Sequence, residues 1–195
     1  MPSSHFSQFG FLGTMDENSS MELELEVEGG NRTVFMVARG KSLQSPLQNN
    51  YVTDPKLELF DHAGQSVFSN DNWAQGSQIN EINSSVFKPG SLLEPAFFYD
   101  LNSSKNKVVL TNNGQDLGDS LLEIYDLNGT PESKFSSFKA SGSVPKIKFV
   151  LDGVRSRKVL VVVRSADTFG DLDNNSSMKN PRMRILNTTQ NPAGL

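Results

Sequence analysis

The chain has 195 residues, of which 36% are hydrophobic, 21% charged, two histidine and none cysteine, with a formal net charge of −4. This length can bury a core as one large domain or two small ones, and the lack of cysteine excludes disulfides, thiolate catalysis and Cys-based metal sites. A mean hydropathy of −0.40 and apolar runs no longer than that at residues 159–163 argue against a membrane-spanning helix, which needs about 20 apolar residues in succession.

Residues 1–12 have neither a basic segment nor a long apolar one, so no signal peptide is expected here. From residue 21 the apolar period is two. Met21, Leu23, Leu25 and Val27 alternate with Glu22, Glu24, Glu26 and Glu28, which predicts a strand with one apolar and one acidic face. Gly29-Gly30-Asn31 reads as a turn, and residues 33–38 as a buried strand rich in β-formers. Further strands are predicted at 56–60, 65–68, 96–101, 107–111 and 120–125, separated by His62-Ala63-Gly64, Asn112-Asn113-Gly114 and Asn128-Gly129-Thr130-Pro131. Asn112-Asn113-Gly114 is expected to turn 107–111 back on 120–125 as a hairpin, because Asn-Gly accepts positive φ. Residues 77–87 alone read as helical, with Ile79, Ile82, Val86 and Phe87 on one face and Pro89-Gly90 as the stop.

Part of this pattern recurs. Residues 23–61 hold an apolar-alternating strand, a Gly turn, a second strand ending at Arg39 and a third after Pro55; residues 147–186 repeat the series, with Arg164 and Pro181 in the matching places. The Arg-to-Pro spacing is 16 in the first copy and 17 in the second. Strands are predicted in the second copy at 146–151, 158–164 and 182–186. Charge inverts between the copies: residues 1–133 carry a net −11 and residues 134–195 a net +7. The expected fold is all-β, a jelly-roll-like antiparallel β-sandwich over residues 1–130 followed by a partial second β-unit over 131–195. The polar segment 130–134 marks the boundary.

Five blocks occur in a recognisable order: Gly10-Phe11-Leu12-Gly13-Thr14, Val37-Ala38-Arg39-Gly40-Lys41-Ser42-Leu43, Asp54-Pro55-Lys56-Leu57-Glu58-Leu59-Phe60-Asp61, Ser69-Asn70-Asp71-Asn72-Trp73 and Leu121-Leu122-Glu123-Ile124-Tyr125-Asp126-Leu127. Together, over residues 5–128, they resemble an uncharacterised β-sandwich repeat of large secreted proteins of environmental bacteria, a module similar to the pre-peptidase C-terminal domain. Two places depart from that pattern. Gly40-Lys41 stands where Gly-Pro is usual, and Asn102-Ser103-Ser104-Lys105-Asn106 replaces a Pro-Gly-x-Tyr-Thr turn. The resemblance implies an extracellular or cell-surface location, a β-sandwich and a non-catalytic accessory role.

The residues themselves offer little catalytic chemistry. His5 and His62 are isolated, so neither a zinc site nor a Ser-His-Asp arrangement is expected. Asp171-Leu172-Asp173-Asn174-Asn175, with Asp167, has alternating oxygens able to converge on a hard cation, so calcium is the candidate cofactor. Ser176 and Arg182 stand where an EF-hand needs Gly and Glu, which rejects that motif. Asn70, Asp71 and Asn72 with Asp61 form a second oxygen cluster; the alternative is Asx-turns between strands. Trp73 is either a sugar-stacking platform beside that cluster or a plug in the core. Eight Asn-x-Ser/Thr sequons start at Asn18, Asn31, Asn83, Asn102, Asn128, Asn174, Asn175 and Asn187.

The basic C-terminal portion is poor in exposed-type aromatics, so no nucleic acid is expected, and an anionic polysaccharide or acidic protein surface suits it better. Complementary charge points to association of the chain with itself. The acidic ladder Glu22, Glu24, Glu26 and Glu28 of one copy is expected to meet Lys146, Lys148, Arg155, Arg157 and Lys158 of another, head to tail and into filaments, or else to meet the basic half of its own chain. The functional expectation is a non-enzymatic structural or adhesive module that self-associates. The alternative is a module binding carbohydrate or cell-envelope polymer, with calcium.

Overall fold

The computed structural model describes residues 6–43, 50–102, 104–114, 116–127, 134–141 and 143–151, all within the compact unit Met1–Val154. Ten strands are present among them: β1 (Phe6–Met15), β2 (Ser20–Glu28), β3 (Arg32–Arg39), β4 (Pro55–Phe60), β5 (Ser66–Asn70), β6 (Ala96–Leu101), β7 (Lys105–Asn112), β8 (Gly118–Asp126), β9 (Lys134–Ser141) and β10 (Ser143–Leu151). They form two sheets, ordered β10-β1-β8-β3-β6 and β5-β4-β7-β2-β9, with antiparallel neighbours throughout.

The first eight strands pair as nested partners: β4 with β5, β3 with β6, β2 with β7 and β1 with β8. Pairing of β3 with β8 and of β4 with β7 then rolls this long hairpin into a sandwich. The result is a jelly roll, the architecture expected from the period-two patterning. In β2, Met21, Leu23, Leu25 and Val27 are buried while the glutamates face outward. β4 and β7 alternate in the same way, with Leu57, Leu59, Val108 and Leu110 fully buried. These side chains meet Phe11, Val34, Met36, Phe97, Leu122 and Ile124 from the facing sheet in the main core.

β3 is buried on both faces, and the reason is the 25-residue connection between β5 and β6. It crosses the outer face of the first sheet and makes a second core from Phe35, Val37, Ala96, Trp73 and Ile82, flanked by Phe87, Phe98 and Tyr125. Phe35 lies 4.8 Å from Phe98 and 5.5 Å from Phe87, ring centre to ring centre. The helix expected at 77–87 is a shorter one, α1 (Ile79–Ser84), which buries Ile82 alone.

One expected turn is relocated. Asn112-Asn113-Gly114 does not close a hairpin, because β7 and β8 lie in different sheets and the loop crosses between them. Asn112 is fully buried; its amide donates to the carbonyls of Asp16 (3.1 Å) and Asp116 (2.7 Å), and its Oδ1 accepts the Gly114 N–H at 3.0 Å. The tight hairpin is instead β4–β5. There Asp61 Oδ1 accepts the N–H groups of Ala63 and Gln65, both at 2.9 Å, and Gly64 takes the left-handed conformation at φ 75°.

Residues 134–151, placed by sequence beyond the boundary at 130, are hydrogen-bonded into the two sheets. β9 lies beside β2, and β10 lies beside β1. Residues 155–195 lie outside the described residues.

Candidate functional site

The segment singled out as a ligand site, residues 70–73, sits where β5 hands over to the long connection. All of its side-chain polar groups but one, the Asn72 Oδ1, are hydrogen-bonded within the fold. Asn70 Oδ1 accepts the Ala96 N–H at 2.9 Å, on the side of β6 that faces away from β3. Gln78, the eighth residue of the connection, treats the next outward-facing residue as a strand would. Its Nε2 donates to the Phe98 carbonyl (2.9 Å), and its Oε1 accepts the Phe98 N–H (2.8 Å). Together Asn70 and Gln78 occupy three outward hydrogen-bonding groups in the first half of edge strand β6, at Ala96 and Phe98, which blocks strand addition there.

Asp71 accepts from Asn113 Nδ2 (3.2 Å) and from Asn72 Nδ2 (3.1 Å). The Asn72 Oδ1 is buried with no hydrogen-bond donor among the described residues. Burial first, and the Asp71 charge second, push the Asp54 carboxyl above its ordinary pKa. Asp61, grouped with these residues by sequence, is at the opposite end of β5 and caps its own turn, so the structure separates it from them.

Trp73 is 3% exposed, and its indole N–H donates to the Ser91 carbonyl at 2.9 Å. The Lys88 Nζ lies 5.3 Å from the ring centre. A covered ring offers no open face to a sugar, so Trp73 is a core plug, the second of the two readings. Its neighbour in the fold is a residue the sequence did not flag. Glu94 is fully buried, and its Oε1 accepts N–H groups of Gly40 and Ser42 (2.8 Å each) while its Oε2 accepts that of Ser91 (3.3 Å). The Trp73 N–H donates to the Glu94 carbonyl at 3.0 Å. Glu94 thus ties the end of β3 to the connection and fixes an open depression lined by Lys41, Ser42, Gly90, Ser91, Leu92 and Leu93.

Two ion pairs run between β3 and β8. Arg32 and Asp126 pair with both side chains fully buried, and Arg39 Nε donates to Glu123 Oε2. Burial opposes the Arg39 charge, but the hydrogen bond and charge of Glu123 outweigh it and raise its pKa. Burial and then the Glu123 charge push the Tyr125 hydroxyl up to about 12, with Arg39 pulling the other way. These groups are locked to one another across adjacent strands.

The acidic ladder is the remaining candidate, and the register sets lysine positions opposite it on both neighbouring strands. On β7, Lys107 stands opposite Glu24 and Lys105 opposite Glu26, with Lys107 Nζ 3.5 Å from Glu22 Oε1. On β9, Lys139 stands opposite Glu24 and Lys134 opposite Glu28. Lys146 and Lys148, expected to meet the ladder of another copy or else of their own chain, are within this chain on β10 in the other sheet, opposite Leu12 and Gly10. The reason is that β9 and β10 separate, one to each sheet.

Arg155, Arg157, Lys158 and the calcium-loop residues Asp167, Asp171, Asp173 and Asn175 lie outside the described residues, as does His5. Among the described residues, no three His, Asp or Glu side chains converge as a metal site, and His62 is exposed in the β4–β5 turn. No helix among them is long and apolar enough to cross a membrane. No protein-family model and no curated protein matches the chain.

Proposed function

We propose that the chain is a non-enzymatic structural module of an exported or surface-exposed protein, and that it works by joining β-sandwich copies through their sheet edges. The observation that carries this reading is the asymmetry of the two sides of the sandwich. On one side, β6 is blocked by Asn70 and Gln78, and β5 is only five residues long. On the other, β1 is paired with β10, which holds the start of the second sequence copy, and β2 with β9 just before it. A sandwich whose one side is guarded and whose other side recruits strands is suited to directed assembly. The resemblance over residues 5–128 supports the extracellular setting, and the buried, hydrogen-bonded Trp73 favours a structural role over a sugar platform.

Light scattering coupled to size exclusion, with negative-stain microscopy, tests the proposal over a rising protein concentration at low and at 1 M salt. Oligomers or filaments that grow with concentration and weaken with salt are expected, since screening shrinks the reach of exposed charges to about 3 Å at 1 M. A monomer at every concentration rules assembly out.

A further inference from the structure

The strands added at the β1–β2 side are a second edition of β1 and β2 themselves. β10 contains the start of the second copy, where Leu23-Glu24-Leu25 corresponds to Ile147-Lys148-Phe149. β9 repeats β1: Phe6-Ser7-Gln8-Phe9 corresponds to Phe135-Ser136-Ser137-Phe138, and Gly13-Thr14 to Gly142-Ser143. The pairing crosses over, so that the β1-like strand lies beside β2 and the β2-like strand beside β1.

The register of this crossover is reciprocal. Phe11 stands opposite Ile147, the counterpart of Leu23, while Leu23 stands opposite Ala140, the counterpart of Phe11. The same exchange relates Phe9–Phe149 to Leu25–Phe138, Gly10–Lys148 to Glu24–Lys139, and Leu12–Lys146 to Glu22–Ser141. Even the irregularities correspond. The register shift that leaves Ser7 unpaired in β1 recurs at Ser136 in β9. Residue i meeting j′ while j meets i′ is the relation of an isologous, two-fold contact between like surfaces.

The copy differs from its original where it matters for the acidic ladder. Lys139 replaces Gly10 and Lys134 replaces His5, opposite Glu24 and Glu28 respectively. Two original corners pairing with each other would set Glu24 against Gly10 and would bring two four-glutamate ladders into one assembly without these lysines. Opposite charges on directly facing strand positions favour pairing, and selectivity is the difference between the two pairings.

We infer that the β1–β2 corner is a recognition surface for a second corner of its own kind, and that the charge inversion of residues 134–151 makes it choose the copy in its own chain over the original corner of another chain. This holds whether or not whole chains assemble further. The inverted sign of the second copy is then a pairing code, and the partner it suits is a β1–β2 corner bearing lysine at the positions of His5 and Gly10.

Hydrogen–deuterium exchange on the full chain tests this at single-strand resolution. Wild-type β9 amides should be protected. Lys134→Glu and Lys139→Gly (the latter restores the first copy's residue) should each lower β9 protection by up to roughly fivefold, the scale of a cross-strand pair, leaving β7 and β8 unchanged. Glu28→Lys combined with Lys134→Glu should restore it, because the double change keeps opposite charges on the directly facing positions 28 and 134. Trp73 emission, unchanged in every variant, shows that the core is intact. Unprotected wild-type β9 would overturn the reciprocal docking. Equal protection in all variants, or wild-type chains that dimerise with β9 displaced from β2, would overturn the charge code. Oligomers that form while the swap fails would overturn only this inference, whereas a monomer with a working swap would overturn only the assembly proposal.

Discussion

Glu94 and Gly40, 54 positions apart in the chain, are joined by a 2.8 Å hydrogen bond from the Gly40 N–H to the Glu94 carboxylate. The same carboxylate takes the Ser42 and Ser91 amides, so removing it strands three backbone donors, at least one of them in a fully buried setting. Glu94→Ala should therefore lower unfolding stability by about 3 kcal/mol in urea titrations. Glu94→Gln keeps an oxygen for Gly40 and Ser42 and should cost about 1 kcal/mol. Equal midpoints for wild type and Glu94→Ala would show that this tie carries no weight.

Gly40 and Gly118 grip the strand-like segment at 50–52. A Cβ on Gly40 would stand 2.0 Å from the Val52 carbonyl oxygen, and one on Gly118 would stand 2.3 Å from the Tyr51 carbonyl carbon. Backbone cannot yield as a side-chain tip can, so Gly40→Ala and Gly118→Ala should each cost about 3 kcal/mol. Gly64→Ala meets open space and only the positive φ resists it, so a loss nearer 1 kcal/mol is expected. Thermal melts of the three variants give the ranking; a Gly64→Ala loss as large as the other two would contradict it.

Asp54 provides a pH signature. A carboxyl whose pKa is raised by folding holds its proton more tightly in the folded state. Its favourable contribution is full below the unfolded value of about 3.9 and disappears as pH rises through the folded value. Asp54→Asn should thus raise the melting temperature at pH 7 and lose its advantage at pH 3. A constant offset across that range would mean that the gain has another origin.

Tyr125 should ionise late, near pH 12, in an absorbance titration. Tyr125→Phe should abolish the late phase. Glu123→Gln, by removing the neighbouring negative charge, should bring it to lower pH. A late phase that survives Tyr125→Phe would contradict this.

The single tryptophan reports on the core. Buried Trp73 should emit at short wavelength, shift red only on unfolding, and remain unmoved by soluble polysaccharides. Trp73→Ala should cost about 4 kcal/mol through the cavity it leaves. A polysaccharide-induced shift without unfolding would reopen the ring as a contact.

What could be read in advance follows from which faces meet water. β2, β4 and β7 have one wet face, so Met21, Leu23, Leu25 and Val27 alternate cleanly with glutamate and their strands were evident. β1 was not, because Gly10 and Gly13 interrupt its alternation, and β9 was not, because Ser136, Ser137, Ala140 and Ser141 dilute it. Asn112 looked like a turn residue because polarity usually means exposure; it is buried because its amide finds three backbone partners. Trp73 follows three polar residues, yet the connection folds it inward beneath Ser91. Glu94 and Gln78 could not be recognised as ties by composition, since their partners are main-chain groups that leave no mark in the sequence.

The nested order of strand pairing also dictates a schedule for synthesis. β4 and β5 can close at once around the turn at 61–64, but β3, β2 and β1 must wait for β6, β7 and β8, in that order. Each inner closure shortens the loop that the next must bridge, so the roll zips outward from one hairpin. A ribosome making this chain therefore releases β1 to β3 long before any of their partners exist. The alternating glutamates of β2 then serve the unfinished chain as much as the finished one, by keeping a waiting apolar strand soluble.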